Sequence, residues 1–462
     1  MNDALSDRPP DAEVTQEGLV RVVDTRALSL SLVNMIIGAG IFVLPGLIAK
    51  LLGPAAIIAY LICSVAVALV FLCFAEAGSR VSRSGGAYAY IEDAFGPFPG
   101  FLASILLWFG WGILSNAAVA IALVELLAFA FPAFDAMLPR SLFLVALFGG
   151  LAGINIHGVR SGVRFAVFNT YAKLVPLIAL VVLGVFSVQW QHLAIVEMPS
   201  LSSLGAGTLM LVFAFGGAEI ALNAGGEIKN PSRTVPLALL FGIGIVFVLY
   251  MAIQGVAQGI MGPDLALNIE APLVATAERA FGPLGRTFLL IGAGISILGV
   301  TSGHVLNHPR AVFAAARDGL LPRQLARIHP RFKTPHLSIV FCAVLACVTA
   351  MTGAFKTLAV VSSGSLLLLY LGCSLAVLKL RRMDQAPNPD VFVIPGGPVV
   401  PVISCLVIVW LLSNMTKAET VGLGSLLAVA TVAYVVSARR RPHPSDPSGP
   451  AASATASRRQ SR

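Results

Sequence analysis

Charged side chains are scarce in this sequence, and their scarcity excludes a soluble protein. Only 11% of the 462 residues are Asp, Glu, Lys or Arg, whereas 57% are hydrophobic and the mean hydropathy is +0.87. Soluble domains carry about 25% charged residues, so the composition indicates an integral membrane protein in a lipid bilayer. The net charge of +9 is explained by basic residues between the apolar segments, and it does not imply a nucleic-acid partner.

Cysteine is also scarce, and the few cysteines are not arranged for chemistry. All six lie in apolar segments, at Cys63, Cys73, Cys342, Cys347, Cys373 and Cys405. They have neither metal-ligand spacing nor the pattern of a disulfide framework. The sequence also contains no Ser-His-Asp arrangement and no cofactor fingerprint, so we predict no enzyme, no metal and no cofactor. We expect no cleavable signal peptide, because residues 1–26 are polar.

Long apolar segments are what the sequence does contain. We predict twelve membrane spans, at residues 27–52, 54–78, 100–127, 140–158, 165–188, 203–229, 234–260, 283–316, 335–353, 356–380, 397–415 and 418–437. Residues 79–99 and 264–281 are predicted to form short helices at the membrane surface. The chain divides into a cytoplasmic segment 1–26, spans 1–5 over 27–188, spans 6–10 over 203–380, spans 11 and 12 over 397–437, and a disordered basic tail 438–462.

The basic residues predict the orientation in the membrane. Most of the 31 Lys and Arg residues lie in the two termini and in the loops on the same side as the termini. The opposite loops contain only Lys50, Arg140, Arg279, Arg286, Lys356 and Lys417. By the positive-inside rule, both termini are predicted to face the cytoplasm. We expect a multi-pass protein of the cell (inner) membrane.

The first span contains a weak point. Within residues 34–46 (NMIIGAGIFVLPG), Gly38 and Gly40 each cost about 1 kcal/mol relative to Ala in a helix interior. If the helix opens there, the NH groups that start its outer half suit a carboxylate, and the carbonyls that end its inner half suit an ammonium or another cation. An amino acid carries both groups. The alternative is that the glycines only form a helix-packing face.

A second weak point lies in span 6, in residues 213–222 (FAFGGAEIAL). Gly216 and Gly217 occupy the place in the second group of five spans that Gly38 and Gly40 occupy in the first. Paired breaks at corresponding positions are typical of transporters that are built from inverted repeats, with the binding site at the bilayer midplane.

Several motifs carry a resemblance to a known family. They are residues 37–42 (IGAGIF), 84–90 (SGGAYAY) before Phe95-Gly96, 213–219 (FAFGGAE), 227–236 (EIKNPSRTVP) and 310–322 (RAVFAAARDGLLP). In order and spacing they resemble the amino acid-polyamine-organocation superfamily. The resemblance implies an all-α leucine-transporter fold, in which a 5+5 inverted repeat has helices 1 and 6 broken and spans 11 and 12 are peripheral. It also implies transport of amino acids or related amines.

The breaks and the resemblance together predict a substrate site. Its residues are Ile37, Gly38, Ala39, Gly40, Ile41, Asn116, Phe213, Ala214, Phe215, Gly217, Glu219, His304 and Ser362. Phe213 matches the aromatic residue that covers the substrate in relatives. Two polar members also have a structural interpretation: Glu219 as a cap of the break, and His304 as a packing residue. Glu76 and Arg80 fit an i,i+4 ion pair better than a site.

Lys173, within span 5, is the candidate for proton coupling. An ionisable residue inside a membrane is a functional hypothesis by default, because burying it is costly. Proton-coupled members of the family have a lysine at this position, where its ammonium takes the place of a sodium ion. The alternative is a lysine that only reaches towards the cytoplasm.

These observations predict a secondary active transporter that works by alternating access. We expect the substrate to be an amino acid, preferably neutral, or a related amine, with protons as the coupling ion and a monomer or homodimer as the assembly. An obligate exchanger, including one for cationic amino acids or polyamines, is the alternative. A membrane sensor that binds an amino acid without moving it is the rival from another class.

Overall fold

The computed structural model describes residues 23–81, 86–157, 162–219, 228–317, 321–383 and 391–439. The predicted N-terminal segment before residue 23, the inner end of span 6 and the predicted tail after residue 439 lie outside the described residues, as do parts of the 84–90, 227–236 and 310–322 motifs. The described chain is helical apart from its turns and loops, and its one isolated β-bridge joins Val23 to Ile228. The predicted all-α class is therefore confirmed.

Fifteen α-helices are numbered here in chain order. They are α1 (Thr25–Ile36), α2 (Gly40–Leu52), α3 (Ala56–Arg80), α4 (Ala87–Phe95), α5 (Pro97–Ile105), α6 (Leu114–Ala130), α7 (Met137–His157), α8 (Gly162–Gly184), α9 (Leu201–Phe215), α10 (Pro231–Met261), α11 (Pro272–Arg317), α12 (His336–Thr352), α13 (Phe355–Met383), α14 (Val399–Leu412) and α15 (Lys417–Arg439). A π-helical segment, Leu106–Ile113, joins α5 to α6.

These helices correspond to the predicted spans. Within the described residues, eight helical stretches are long and apolar enough to cross a membrane, and α9, α12 and α14 are shorter apolar helices. Helices α1 and α2 form span 1, the run from α5 to α6 forms span 3, and α9 forms the first part of span 6. Helix α4 and the start of α11, which is set off by a kink at Gly282, correspond to the two short helices that were expected at the membrane surface.

Local signals in the sequence explain where the helices begin. The Asp24 side chain caps α1 by accepting a hydrogen bond from the backbone N–H of Ala27 at 2.8 Å. The Ser200 hydroxyl caps α9 in the same way, through the N–H of Ser203 at 3.0 Å. The N-termini of α1 and α9, which begin the two broken spans, are thus stabilised by polar side-chain caps. The apolar C-terminal ends of these helices meet in the core.

Both predicted helix breaks are confirmed. Residues 37–39 are not helical between α1 and α2, and Gly216 and Gly217 form a turn after α9 before the chain becomes helical again at residues 218–219. Helix α9 packs against α2 and α3, while α10 packs against α1 and α3. The two breaks therefore meet in the centre of the molecule.

A buried carboxylate joins the ends of α3 and α13. Glu76 accepts hydrogen bonds from Arg80 on its own helix and from Arg381 at the end of α13. It also accepts the backbone N–H of Ile394 at 2.9 Å. The predicted Glu76–Arg80 pair is confirmed, and the two further partners make it part of a junction between three segments.

Candidate substrate site

A small cavity lies between the two helix breaks. Its volume is about 20 Å³, which is room for about one water molecule. It is lined by Met35, Ile36, Gly38, Ala39, Gly40, Trp111, Ser115, Val119, Phe213, Gly216, Gly217, Val300 and His304. Binding of an amino acid therefore requires this cavity to widen.

The carbonyl groups that end α1 are largely engaged by side chains from other helices. Lys173 donates hydrogen bonds from Nζ to the carbonyls of Asn34 at 2.7 Å and Ile37 at 2.9 Å. The Tyr250 hydroxyl donates to the carbonyl of Ile36 at 3.3 Å and to that of Ala214 at 3.1 Å. An amine at a helix C-terminus lies where the helix dipole favours positive charge. The structure thus places Lys173 beside the inner half of span 1.

The start of α2 presents backbone N–H groups to the break, because the first N–H groups of a helix lack a partner one turn earlier. The N–H of Phe42 is already paired, since it donates to the carbonyl of Ala39 at 3.0 Å. Gly38 and Gly40 differ in what surrounds them. A Cβ added at Gly38 would lie 3.6 Å from Cγ2 of Val300, an ordinary contact, whereas one at Gly40 would lie 2.7 Å from Cα of Ala214. Gly40 is therefore required for the close approach of α2 to α9, as the packing interpretation expects. A side chain at Gly38 would make only an ordinary contact with Val300.

Glu219 caps the second break. Its two carboxylate oxygens accept the backbone N–H of Gly217 at 3.0 and 3.1 Å, and one of them also accepts the Tyr370 hydroxyl at 2.9 Å. Gly217 has a φ of +120°, which a residue with a side chain rarely adopts, and an added Cβ would lie 2.5 Å from the carbonyl oxygen of Met35. The geometry of Glu219 is that of the capping alternative.

Aromatic rings surround Phe213 on the cavity wall. Its ring centroid lies 6.0 Å from that of Trp111 and 5.6 Å from that of Phe355, and both pairs are edge-to-face. Trp111 also lies against Gly216, where a side chain would collide with the indole. Phe213 is thus held by packing at the edge of the site.

The other predicted residues are not among those that line the cavity. The Ser362 hydroxyl is used within its own helix, where it donates to the carbonyl of Ala359 at 3.0 Å. Asn116 is buried, and its Oδ1 has no hydrogen-bond partner among the described residues. Seven predicted residues are absent from the lining: Ile37, Ile41, Asn116, Ala214, Phe215, Glu219 and Ser362. Of these, Ile37 accepts a hydrogen bond from Lys173 through its carbonyl.

Sequence reasoning missed several residues of the lining. Trp111 belongs to the π-helical segment, a conformation that is frequent at functional sites but has no signature in composition. Ser115 and Val119 follow it one and two turns later on α6, and Val300 faces them from α11. A glycine on each side of Trp111, at positions 110 and 112, was the one available signal.

Comparisons with known proteins agree with this architecture. The family model described as "Amino acid permease" matches residues 23–437. The serine/threonine exchanger SteT of Bacillus subtilis (strain 168) is 28% identical over 90% of this chain and 96% of its own length. The methylthioribose transporter of the same organism is 27% identical over 93% and 96%, and its branched-chain amino acid permease BcaP is 25% identical over 92% and 94%.

The matched region includes all helices from α1 to α14, most of α15 and both breaks. Its helical architecture is consistent with the leucine-transporter fold. The chain belongs to the amino acid permease family, and it is a membrane transporter and not an enzyme.

Proposed function

We propose that this transporter carries a neutral amino acid and that a proton on Lys173 drives the cycle. The observation that carries the proposal is the position of Lys173, buried at 1% exposure with its amine on two carbonyls beside the first break. An ionisable group is costly at this depth, and here it lies against the segment where we expect the substrate to bind.

The two hydrogen bonds of Lys173 are compatible with proton exchange. A protonated amine has three N–H donors, and a neutral amine retains two, enough for the carbonyls of Asn34 and Ile37. The bonds can therefore persist in both states while the charge next to the substrate site changes.

The proposed substrate position follows from the free backbone groups. The carboxylate would accept the N–H groups at the start of α2, where the helix dipole is positive. The ammonium would lie towards the carbonyl end of α9. This arrangement recognises the main chain of any amino acid and leaves selectivity to the side-chain end of the cavity.

A neutral substrate is favoured because the lining offers no carboxylate. Among the described residues that line the cavity none is Asp or Glu, and the Glu219 oxygens are already engaged by Gly217 and Tyr370. A cationic side chain would therefore have no counter-charge. Competition by arginine, lysine or polyamines alone, in an uptake screen of labelled neutral amino acids, would contradict this proposal.

Obligate exchange is the second candidate, and one observation favours it: a relative that covers most of the chain is named an exchanger. The two candidates differ in their response to a proton gradient. A proton-coupled carrier accumulates substrate when the gradient points inwards, whereas an exchanger needs substrate on the opposite side.

The test is flux into liposomes that contain the purified protein, with and without an inward proton gradient. We expect the gradient to drive accumulation of a labelled neutral amino acid. Lys173→Ala should abolish accumulation but retain part of the exchange of substrate for substrate. Lys50→Ala, which removes an exposed lysine in the last turn of α2, should behave as wild type.

Two results would decide against the proposal. Accumulation by Lys173→Ala at the wild-type level would show that the lysine is structural. Gradient-independent flux of the wild type, strictly dependent on internal substrate, would identify an exchanger.

A further inference from the structure

We propose that Ser115 and His304 form a side-chain subsite that selects amino acids with a short side chain bearing a hydroxyl group. The inference rests on the proposed function, because it concerns the side-chain end of the same cavity. It adds a substrate class that is defined by two polar groups of the cavity lining, one on α6 and one on α11.

Both groups are buried and have unused hydrogen-bonding capacity. Ser115 is 1% exposed and His304 is 7% exposed, and both line the cavity. Within the described part of the chain, neither Oγ of Ser115 nor Nδ1 of His304 has a hydrogen-bond partner. Buried polar groups are normally paired, so two unpaired groups at one cavity indicate a ligand or water that pairs them.

Oγ1 of Thr208 and Oγ of Ser296 also have no partner among the described residues, but neither residue lines the cavity. Several other hydroxyl groups inside the spanning helices are paired. Ser64 donates to the carbonyl of Tyr60 at 2.8 Å, Ser363 donates to that of Ala359 at 2.8 Å, and Thr349 donates to that of Leu345 at 2.7 Å. Each satisfies its hydroxyl within its own helix. The Ser115 hydroxyl does not, so it remains available to the cavity.

The His304 ring is fixed in position by its neighbours. It stacks on His308 with centroids 4.8 Å apart and an angle of 23° between the rings. His308 in turn lies against Gly112 of the π-helical segment, where an added Cβ would lie 2.5 Å from Cδ2 of the imidazole. Gly112 and His308 are therefore positioning residues, and they hold the His304 ring on the cavity wall.

The chemistry of the pair fits a hydroxyl. A substrate hydroxyl is both donor and acceptor, as is Ser115, and a neutral imidazole nitrogen is one or the other according to its tautomer. A methyl group in the same place would leave both protein groups buried and unpaired, which lowers affinity by about tenfold or more. The apolar walls at Val119 and Val300 exclude long polar side chains.

Threonine and valine provide the test, because they have nearly the same shape and differ by hydroxyl against methyl. In liposomes that contain the wild-type protein, threonine should inhibit the uptake of a labelled neutral amino acid at least about tenfold better than valine does. Ser115→Ala and His304→Phe, which keeps a ring for stacking, should both bring this ratio close to one. Ser64→Ala, a matched removal of a buried hydroxyl, should leave it unchanged.

A second measurement does not depend on the variants. Threonine should raise the melting temperature of the wild-type protein in detergent, and valine at the same concentration should not. Equal effects of the two, in melting or in uptake, would overturn the subsite and show that water satisfies Ser115 and His304. Transport of valine would still support the proposed function, whereas absence of any amino acid flux would overturn both.

Discussion

Gly38 and Gly40 lie in one short motif, yet the surroundings of each differ. At Gly40 the missing side chain makes room for the backbone of Ala214, and at Gly38 it faces the cavity and Val300. Both glycines line the cavity, but only Gly40 is also required for the close packing of α2 against α9. Variants at the two positions separate these roles.

We predict that Gly40→Ala destabilises the protein, because a Cβ 2.7 Å from Cα of Ala214 forces α2 away from α9. Overpacking of this kind costs about 1–3 kcal/mol. Gly38→Ala should leave stability close to wild type and weaken substrate binding, because its Cβ enters the cavity. Thermal melting in detergent and binding of a labelled neutral amino acid measure the two effects. Equal loss of stability in both variants would contradict the distinction.

At the scale of elements, the structure joins helices through polar groups where each helix ends. Lys173 of α8 donates a hydrogen bond to a carbonyl at the end of α1. Glu76 of α3 accepts hydrogen bonds from Arg381 at the end of α13 and from the N–H of Ile394 in the segment that precedes α14. Ends of helices leave backbone and charged groups unpaired, so these contacts determine which elements stay together.

We predict that Arg381→Met lowers stability by about 1–3 kcal/mol, because it removes a charged partner from the buried Glu76 carboxylate. The loss is limited by Arg80 and by the N–H of Ile394, which still pair with that carboxylate. The matched control is Arg382→Met, which removes a neighbouring exposed arginine and should change little. Melting curves of the two variants in detergent decide the matter, and identical curves would show that Arg381 contributes nothing.

At the scale of the whole molecule, basic residues are segregated to one side of the predicted membrane. Arg310 near the end of α11, Arg323 after it and Lys379 near the end of α13 lie on the side of both termini in the predicted topology. We therefore propose that the N- and C-termini face the cytoplasm.

Reporter fusions test this orientation. A fluorescent protein that matures only in the cytoplasm should be bright when it is fused after Arg439, and alkaline phosphatase at the same place should be inactive. A fusion at Lys417, in a predicted outer loop, is the control and should show the reverse. Active phosphatase after Arg439 would overturn the assignment.

The sequence by itself determined the spans, the two breaks and the burial of an amine at Lys173. These follow from local properties: apolar length decides whether a segment crosses the membrane, and paired glycines weaken a helix wherever they occur. The tertiary structure alone decided which side chains face the cavity. Successive residues of a helix point about 100° apart, so Ser115 reaches the cavity and Asn116 does not. The rotation of α6 about its own axis decides which of the two residues faces the cavity. Packing against other helices and the π-helical segment before α6 set this rotation, and no local sequence pattern encodes either of them.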